Sequence, residues 1–518
     1  MRKFDVICIG SGIGSLSVAS VLAQLYGHRV AVLERHSSIG GYTASFLRDG
    51  RYEWDVGLHY VGSMARGGIS RRLMDFVTGS AVRWNKLPTY YDYLCFPDEV
   101  FRLPAGKRRF MGALKQRFPE EADGLDLYFA DLEHVNQWYH QFLGERTGIS
   151  PHYLSGYLPV VARPLEFYLQ TTMSYMNLRF RSRRLIAVLV DRWGLHGMPP
   201  EESVFCLHAI TMIHYMGGGW YPKGGSSVIP KAVESVLQRH GGRVFTGHRV
   251  EGLVLEGTRA VGVKCAHKGR RVFFRAPIVI SGIGVYNTYR RLIPPRLVSR
   301  STSALIERVS SRVTSCVWLF MGLSRSPEAL GIRGQNYYLN TGYDPRQVFA
   351  SKESLLLGSC HYAFLSFPSL KGGRLKDGRQ HTAEILAFVD YDEWRRRVDS
   401  GDRERTKQFV TETLLSLADY HLPHFSSLIE YTELSSPETS EKYLGHHRGA
   451  IYGLPMTRER LLDREVFRSE TPVRNLFLVG ADALAPGIKS SMLSGILTAA
   501  KIKGSLDLST RLQVKLGC

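Results

Sequence analysis

An α/β fold is predicted by three observations. The first 34 residues run from a short apolar stretch through a glycine turn and an Ala/Val/Leu-rich stretch to a second apolar stretch. Residues 476–500 give strand, turn and helix again at the far end of the chain. Between them, residues 243–282 offer several short strands separated by glycine turns. Strand, glycine turn, helix and strand within about 30 residues form the βαβ unit of a Rossmann-type dinucleotide fold.

In chain order, residues 4–10 (FDVICIG) predict a buried strand, 13–25 a helix and 29–34 (RVAVLE) a second buried strand. Residues 105–200 change character, with basic and aromatic residues interleaved among apolar stretches, as in SYMNLRFRSRRLIAVLVDRW at 174–193. They predict a mostly helical region, either a lid over a substrate, a membrane-facing surface, or an amphipathic helix with a solvated basic face. Residues 220–242 predict a turn and an amphipathic helix closed by Gly241 and Gly242. Residues 300–460 mix strands and helices without clear periodicity. The expected organisation is a nucleotide-binding unit assembled from 1–100, 216–295 and 461–518, a helical region at 101–215 and a mixed-sheet substrate unit at 296–460.

At 518 residues the chain exceeds one simple core. Its 44% hydrophobic and 22% charged content exclude a disordered or fibrous protein. The formal net charge of +20 favours anionic partners, whether an acidic lipid surface, nucleic acid or an acidic substrate, with a simply basic protein as the plain alternative. No nucleic-acid module accompanies that charge. The seven cysteines contain no CxxC pair, which argues against a disulfide framework or structural zinc and fits a reducing, cytoplasmic setting. The basic-then-apolar start has the outline of a signal peptide, but Asp5 and the glycines interrupt it. No run of about 18 uncharged apolar residues predicts a membrane span.

The glycine turn reads Gly10-Ser11-Gly12-Ile13-Gly14-Ser15. Gly10 permits the turn out of the strand, and Gly12 lets the backbone approach a pyrophosphate at the positive N-terminus of the next helix. Ser15 stands at the third fingerprint position, small enough to keep helix and strand close. Glu34 ends the second strand, where a carboxylate accepts hydrogen bonds from both ribose hydroxyls; a surface acid is the plain alternative. Gly40 and Gly41 follow, freeing N–H groups for a second approach to the pyrophosphate. At the far end Gly480 closes a strand, Asp482 lies in the turn and a helix begins near Ile488. A helix start there favours negative charge.

These motifs resemble the flavoproteins of the amine oxidase and phytoene desaturase superfamily, whose ribose acid is followed by Arg, Gly-Gly and Ser/Thr. Arg35, Gly40, Gly41 and Ser45 stand at those places, and Trp54-Asp55-Val56-Gly57 is similar to the stretch beneath the flavin. Trp220-Tyr221-Pro222-Lys223-Gly224-Gly225 and Val250 resemble the Y-P-x-G-G segment and the adenine-contacting strand. Residues 480–491 resemble the closing motif, with Asp482 at the ribityl or pyrophosphate region and Ile488 opening the helix toward the pyrimidine ring. GAIYGLP at 449–455 brings the likeness nearest to the carotenoid desaturase, carotenoid isomerase and retinol saturase group.

The resemblance implies a glutathione-reductase-like FAD domain and a polyene or isoprenoid substrate drawn from a membrane by a peripheral enzyme. Hydride would pass between substrate carbon and flavin N5, with His59 and Tyr60 near the ring. No nicotinamide fingerprint is complete, so electrons would pass to or from a quinone, oxygen or another donor. No metal site is expected: His446 and His447, adjacent on a strand, would point to opposite faces. An amine oxidase and a flavin-free prenyl-lipid escort remain as alternatives.

Overall fold

A computed structural model describes residues 2–147, 163–373, 375 and 378–516; part of the expected helical region and Cys518 lie outside them. The strands Val6–Ile9 and Val30–Leu33 are buried at every residue. Apolar side chains on both faces suit the centre of a parallel sheet covered by helices on either side. That sheet has five parallel strands in the order Arg243–Phe245, Val30–Leu33, Val6–Ile9, Ile278–Ser281, Leu476–Leu478. Its strands come from the start, middle and end of the chain.

The helix Ile13–Tyr26 is buried along nearly its whole length and packs against the closing helix Ile488–Lys503. Two glycines set their separation. A Cβ on Gly14 would stand 2.8 Å from the Gly480 nitrogen, and one on Gly495 would stand 2.8 Å from the Val18 nitrogen. Any side chain at either place would push the ends of the chain apart.

A seven-stranded sheet runs Ile429–Ser435, Ser315–Leu323, His381–Val389, Tyr362–Ser366, Asn336–Asn340, Tyr90–Cys95, Val100–Pro104. All its pairs are antiparallel except Asn336–Asn340 with Tyr90–Cys95, the last pairing but one. Residues 90–104 thus add two strands to this sheet, whereas the sequence reading placed residues up to 100 in the nucleotide-binding unit and began a helical region at 101. YYDYLC reads as a strand in either unit, and only its pairing with 336–340 decides which.

Side-chain alternation divides this sheet sharply. Val317, Leu319, Met321, Ile385, Ala387 and Leu365 pack on one face with the helix Arg403–His421. Trp318, Phe320, Tyr338, Tyr362, Phe364 and Phe388 pave the other, turned toward the nucleotide unit.

The described part of 105–200 is helical, as expected: Ala122–Thr147, Leu165–Leu169, Thr172–Arg179 and Arg183–Val190, followed by Phe205–Tyr215. Buried Asp131 joins Ala122–Thr147 to Thr172–Arg179, accepting from Arg163 Nη1 (2.9 Å), Arg179 Nη2 (2.8 Å) and the Tyr175 hydroxyl (2.7 Å). No helix among the described residues is long and apolar enough to cross a membrane.

Candidate functional site

Two long helices begin at one cleft without side-chain caps. Gly12 precedes Ile13–Tyr26 and Gly487 precedes Ile488–Lys503, and neither end has a side chain accepting from its first N–H groups. Uncapped N-terminal N–H groups and the helix dipole together make an anion site. A Cβ placed on Gly12, Gly480 or Gly487 would meet no atom within 4 Å. The backbone is thus bare there, whereas Gly14, two residues past Gly12, is tightly enclosed.

Glu34 reaches back over the first turn. Its Oε2 accepts from the Ser11 N–H (3.0 Å) and hydroxyl (2.6 Å), and Oε1 accepts from the His36 N–H (2.8 Å). A carboxylate has about four acceptor positions, so one is open and another is held only by the mobile proton of Ser11. The Glu34 N–H and C=O bond to Phe245 and His248, which places the strand Arg249–Glu256, with half-buried Val250, beside the acid.

Gly40 and Gly41 have φ of +114° and +56°, a region that disfavours L side chains, and Gly41 lies against Gly12. The Gly40 N–H donates to the Ser11 hydroxyl at 3.0 Å. The second glycine pair therefore folds onto the first. Ser15 is buried and its hydroxyl has no hydrogen-bond partner; the strand end opposite is Gly282, where a Cβ would collide with it. The unusual serine fits because its neighbour gives up a side chain.

Three residues assigned by resemblance are engaged with the chain itself. Arg35 Nη2 donates to the carbonyls of Glu441 (3.1 Å) and Lys442 (2.7 Å) at the C-terminus of the helix Pro437–Tyr443. The Ser45 hydroxyl donates to Glu53 Oε1 at 3.2 Å. Asp482 is buried and accepts from the Val285 N–H (2.8 Å) and the Leu454 N–H (2.7 Å). It fastens the turns at 283–285 and 453–454 to the closing motif. Ile488, half-buried, is the first residue of the closing helix.

The 54–60 stretch forms the floor. Buried Asp55 accepts from the Tyr221 hydroxyl, the Ser226 N–H (3.0 Å) and the Ser226 hydroxyl (2.6 Å). Burial raises its carboxyl to about 6 against the opposing effect of those bonds. Two motifs about 170 residues apart in sequence are joined by this one acid. The Tyr42 ring lies on Gly57, leaving no room for a Cβ, and its hydroxyl donates to the Ala450 carbonyl at 3.1 Å.

His446 stands edge-on to Tyr42 at 5.3 Å, while His447 stacks on Tyr286 at 3.7 Å, so their rings diverge. They lie at a short 3-10 turn, not on the expected strand. Among the described residues no group of three His, Cys, Asp or Glu could hold a metal.

His59 and Tyr60 fall on the aromatic face of the seven-stranded sheet. The His59 ring lies 5.8 Å from Trp318 and 4.9 Å from Phe364, and its Nδ1 is 2.8 Å from Glu384 Oε1. The Tyr60 hydroxyl donates to Asp92 Oδ2 (3.0 Å) and lies 2.8 Å from the Tyr338 hydroxyl. Asn336 donates to Asp92 Oδ1 at 2.9 Å, and Arg192 stands 3.7 Å from Asp92 Oδ2. Lys371 donates to the His59 carbonyl (3.1 Å), the Ser366 hydroxyl (2.6 Å) and Asn336 Oδ1; burial lowers its ammonium to about 8.

Sequence reasoning missed Asp92, Lys371 and Glu384. Glu384 carried a usable signal, being the lone acid in an apolar strand, HTAEILAFV. Lys489 was also missed. It is the second residue of the closing helix, and burial lowers its ammonium to about 8; His140 and His214 are lowered chiefly by their own burial, with the Lys489 charge adding to it.

The bare glycine backbone, the two uncapped helix ends and Glu34 fit a dinucleotide flavin. Residues 16–503 match the family model described as flavin containing amine oxidoreductase. The chain is 29% identical to the all-trans-retinol 13,14-reductase of Danio rerio, over 99% of this chain and 87% of that protein. It is 23% identical to the chloroplastic prolycopene isomerase of Daucus carota, over 98% of this chain and 82% of that protein. Its fold is similar to that of a putrescine oxidase bound to putrescine, with a TM-score of 0.64 and 14% identity over 97% of this chain and 99% of the other.

Proposed function

The chain belongs to the family of flavin-containing amine oxidoreductases and is an FAD-dependent oxidoreductase, and on that premise we propose that it acts on carbon–carbon double bonds of a long apolar polyene or isoprenoid lipid. Bound in the cleft, FAD supplies hydride exchange at its N5. The chain's own residues hold the cofactor, orient the substrate and exclude water. Glu34 takes the ribose and the starts of Ile13–Tyr26 and Ile488–Lys503 take the pyrophosphate and the pyrimidine end.

The observation that carries the substrate class is the aromatic face of the seven-stranded sheet. Trp318, Phe364, Tyr338 and Phe388 present flat apolar surface to the segment carrying His59 and Tyr60. Such a wall suits a conjugated chain, which gains from contact along its length and offers no hydrogen bonds. The relatives named for a retinol reductase and a prolycopene isomerase support the same class.

The substrate is drawn from a cytoplasmic membrane surface by peripheral contact. Leu178 is 84% exposed and stands beside exposed Arg181 and Arg183, a pairing of apolar and cationic groups suited to an acidic bilayer. A quinone or oxygen serves as the electron partner.

Anaerobic incubation of the FAD-loaded protein, oxidised and dithionite-reduced, with retinoids, carotenoids and polyunsaturated lipids tests this reading. A product two mass units lighter marks desaturation, two heavier saturation, and unchanged mass with altered retention isomerisation. Peroxide formation from amines, with no lipid turned over, would replace it by an amine oxidase.

A further inference from the structure

Saturating or shifting a double bond needs a proton at one carbon as well as a hydride at the other. The cleft contains one arrangement suited to deliver it. Glu384 is 1% exposed, sits in the aromatic face, and bonds through Oε1 to His59 Nδ1 at 2.8 Å. Its other oxygen, Oε2, has no hydrogen-bond partner among the described residues. A buried carboxylate so placed accepts the Nδ1–H and fixes the ring's orientation, as a buried acid does for a catalytic imidazole.

The remaining ring nitrogen, Nε2, has no partner among the described residues. The His59 side chain keeps 16% exposure although it lies against buried Trp318 and Phe364. The ring thus keeps an accessible edge while it lies against the aromatic wall.

We propose that His59, oriented by Glu384, is the proton donor to the substrate carbon, with Glu384 as its positioning residue. This rests on the lipid-oxidoreductase reading above. In the reducing direction the alkene carbon–carbon π bond breaks. One carbon receives a hydride, and with it two electrons, from the reduced flavin. The other carbon receives the proton from His59 Nε2. The products are a saturated bond, oxidised flavin and neutral His59, which takes a new proton from water. In the oxidising direction the same nitrogen accepts the proton.

The test uses the full-length FAD-loaded protein, reduced anaerobically by dithionite, with the lipid panel in detergent micelles prepared in H2O and D2O. In D2O the wild type incorporates two solvent deuteriums per product, one by way of the reduced flavin, whose N5 hydrogen comes from solvent, and one through the proton donor. His59→Ala loses at least 100-fold in kcat, in line with the usual worth of a general acid, with the flavin spectrum and KM held within about threefold. Added imidazole restores part of its rate, which a merely structural residue would not allow. Glu384→Gln loses roughly tenfold in kcat, and Glu384→Asp recovers part of that loss. An active wild type with an equally active His59→Ala variant, or loss without imidazole rescue, overturns this proposal alone. A wild type inert toward every lipid overturns the reading beneath it, and this with it.

Discussion

Gly12 and Gly14 stand two residues apart and face opposite environments. A side chain on Gly12 would project into open space, and its φ of −62° suits any residue; one on Gly14 would strike the Gly480 backbone. Gly12→Asp should therefore fold, with apoprotein stability within a few tenths of a kcal/mol of wild type, since Asp is a good residue at a helix start. It should lose FAD, because the new carboxylate occupies the pyrophosphate position. Gly14→Ala should destabilise the protein by about 1–3 kcal/mol through overpacking. Absorbance of bound flavin after dialysis, measured beside thermal unfolding, separates the two. The fingerprint glycines, Glu34 and Ser15 were legible as sequence because their spacing is local. Which glycine bares the backbone and which permits packing was not, since that depends on Gly480, 466 residues away.

At the scale of single elements, the helices that follow Ala122–Thr147 present basic and apolar groups to solvent together. Leu178 is exposed near the end of Thr172–Arg179, and exposed Arg181 and Arg183 follow it in sequence, Arg183 opening the helix Arg183–Val190. Leu178→Glu removes a protruding apolar group and adds a charge repelled by acidic lipid. Its binding to vesicles containing phosphatidylserine should fall about tenfold or more, while flavin content stays unchanged; co-sedimentation reads both. Wild-type binding should weaken as salt rises, because exposed charges are screened within about 10 Å at 0.1 M. The basic-aromatic composition showed that these elements are helical. Their exposed side appeared only when Asp131 joined Ala122–Thr147 to Thr172–Arg179 and buried Tyr175 and Met176.

Across the whole molecule, the join between motifs has a titration signature. Asp55 links the floor to Tyr221 and Ser226, and burial raises its carboxyl to about 6. Below about pH 4 folded and unfolded states both carry the proton. Between about 4 and 6 the folded state holds more protons, so stability from this group is lost as pH rises through 6, by about 3 kcal/mol. Asp55→Asn keeps acceptors for Ser226 and has no charge to desolvate. Its unfolding free energy, followed by denaturant titration from pH 4 to 7, should lack that decline relative to wild type.

The amino-acid order by itself determined the βαβ start and the strand–turn–helix close, since each depends on short-range spacing and local dihedral preference, and its motifs carried the resemblance from which FAD and the family were expected. It did not determine that the chain enters the second sheet at residue 90, or that Asp482 and Arg35 bind backbone. Nor did it reveal that Glu384, Lys371 and Asp92 meet behind His59 and Tyr60. Those contacts join residues tens to hundreds of positions apart. Their energies arise from burial and charge compensation, which exist only after the sheets have packed.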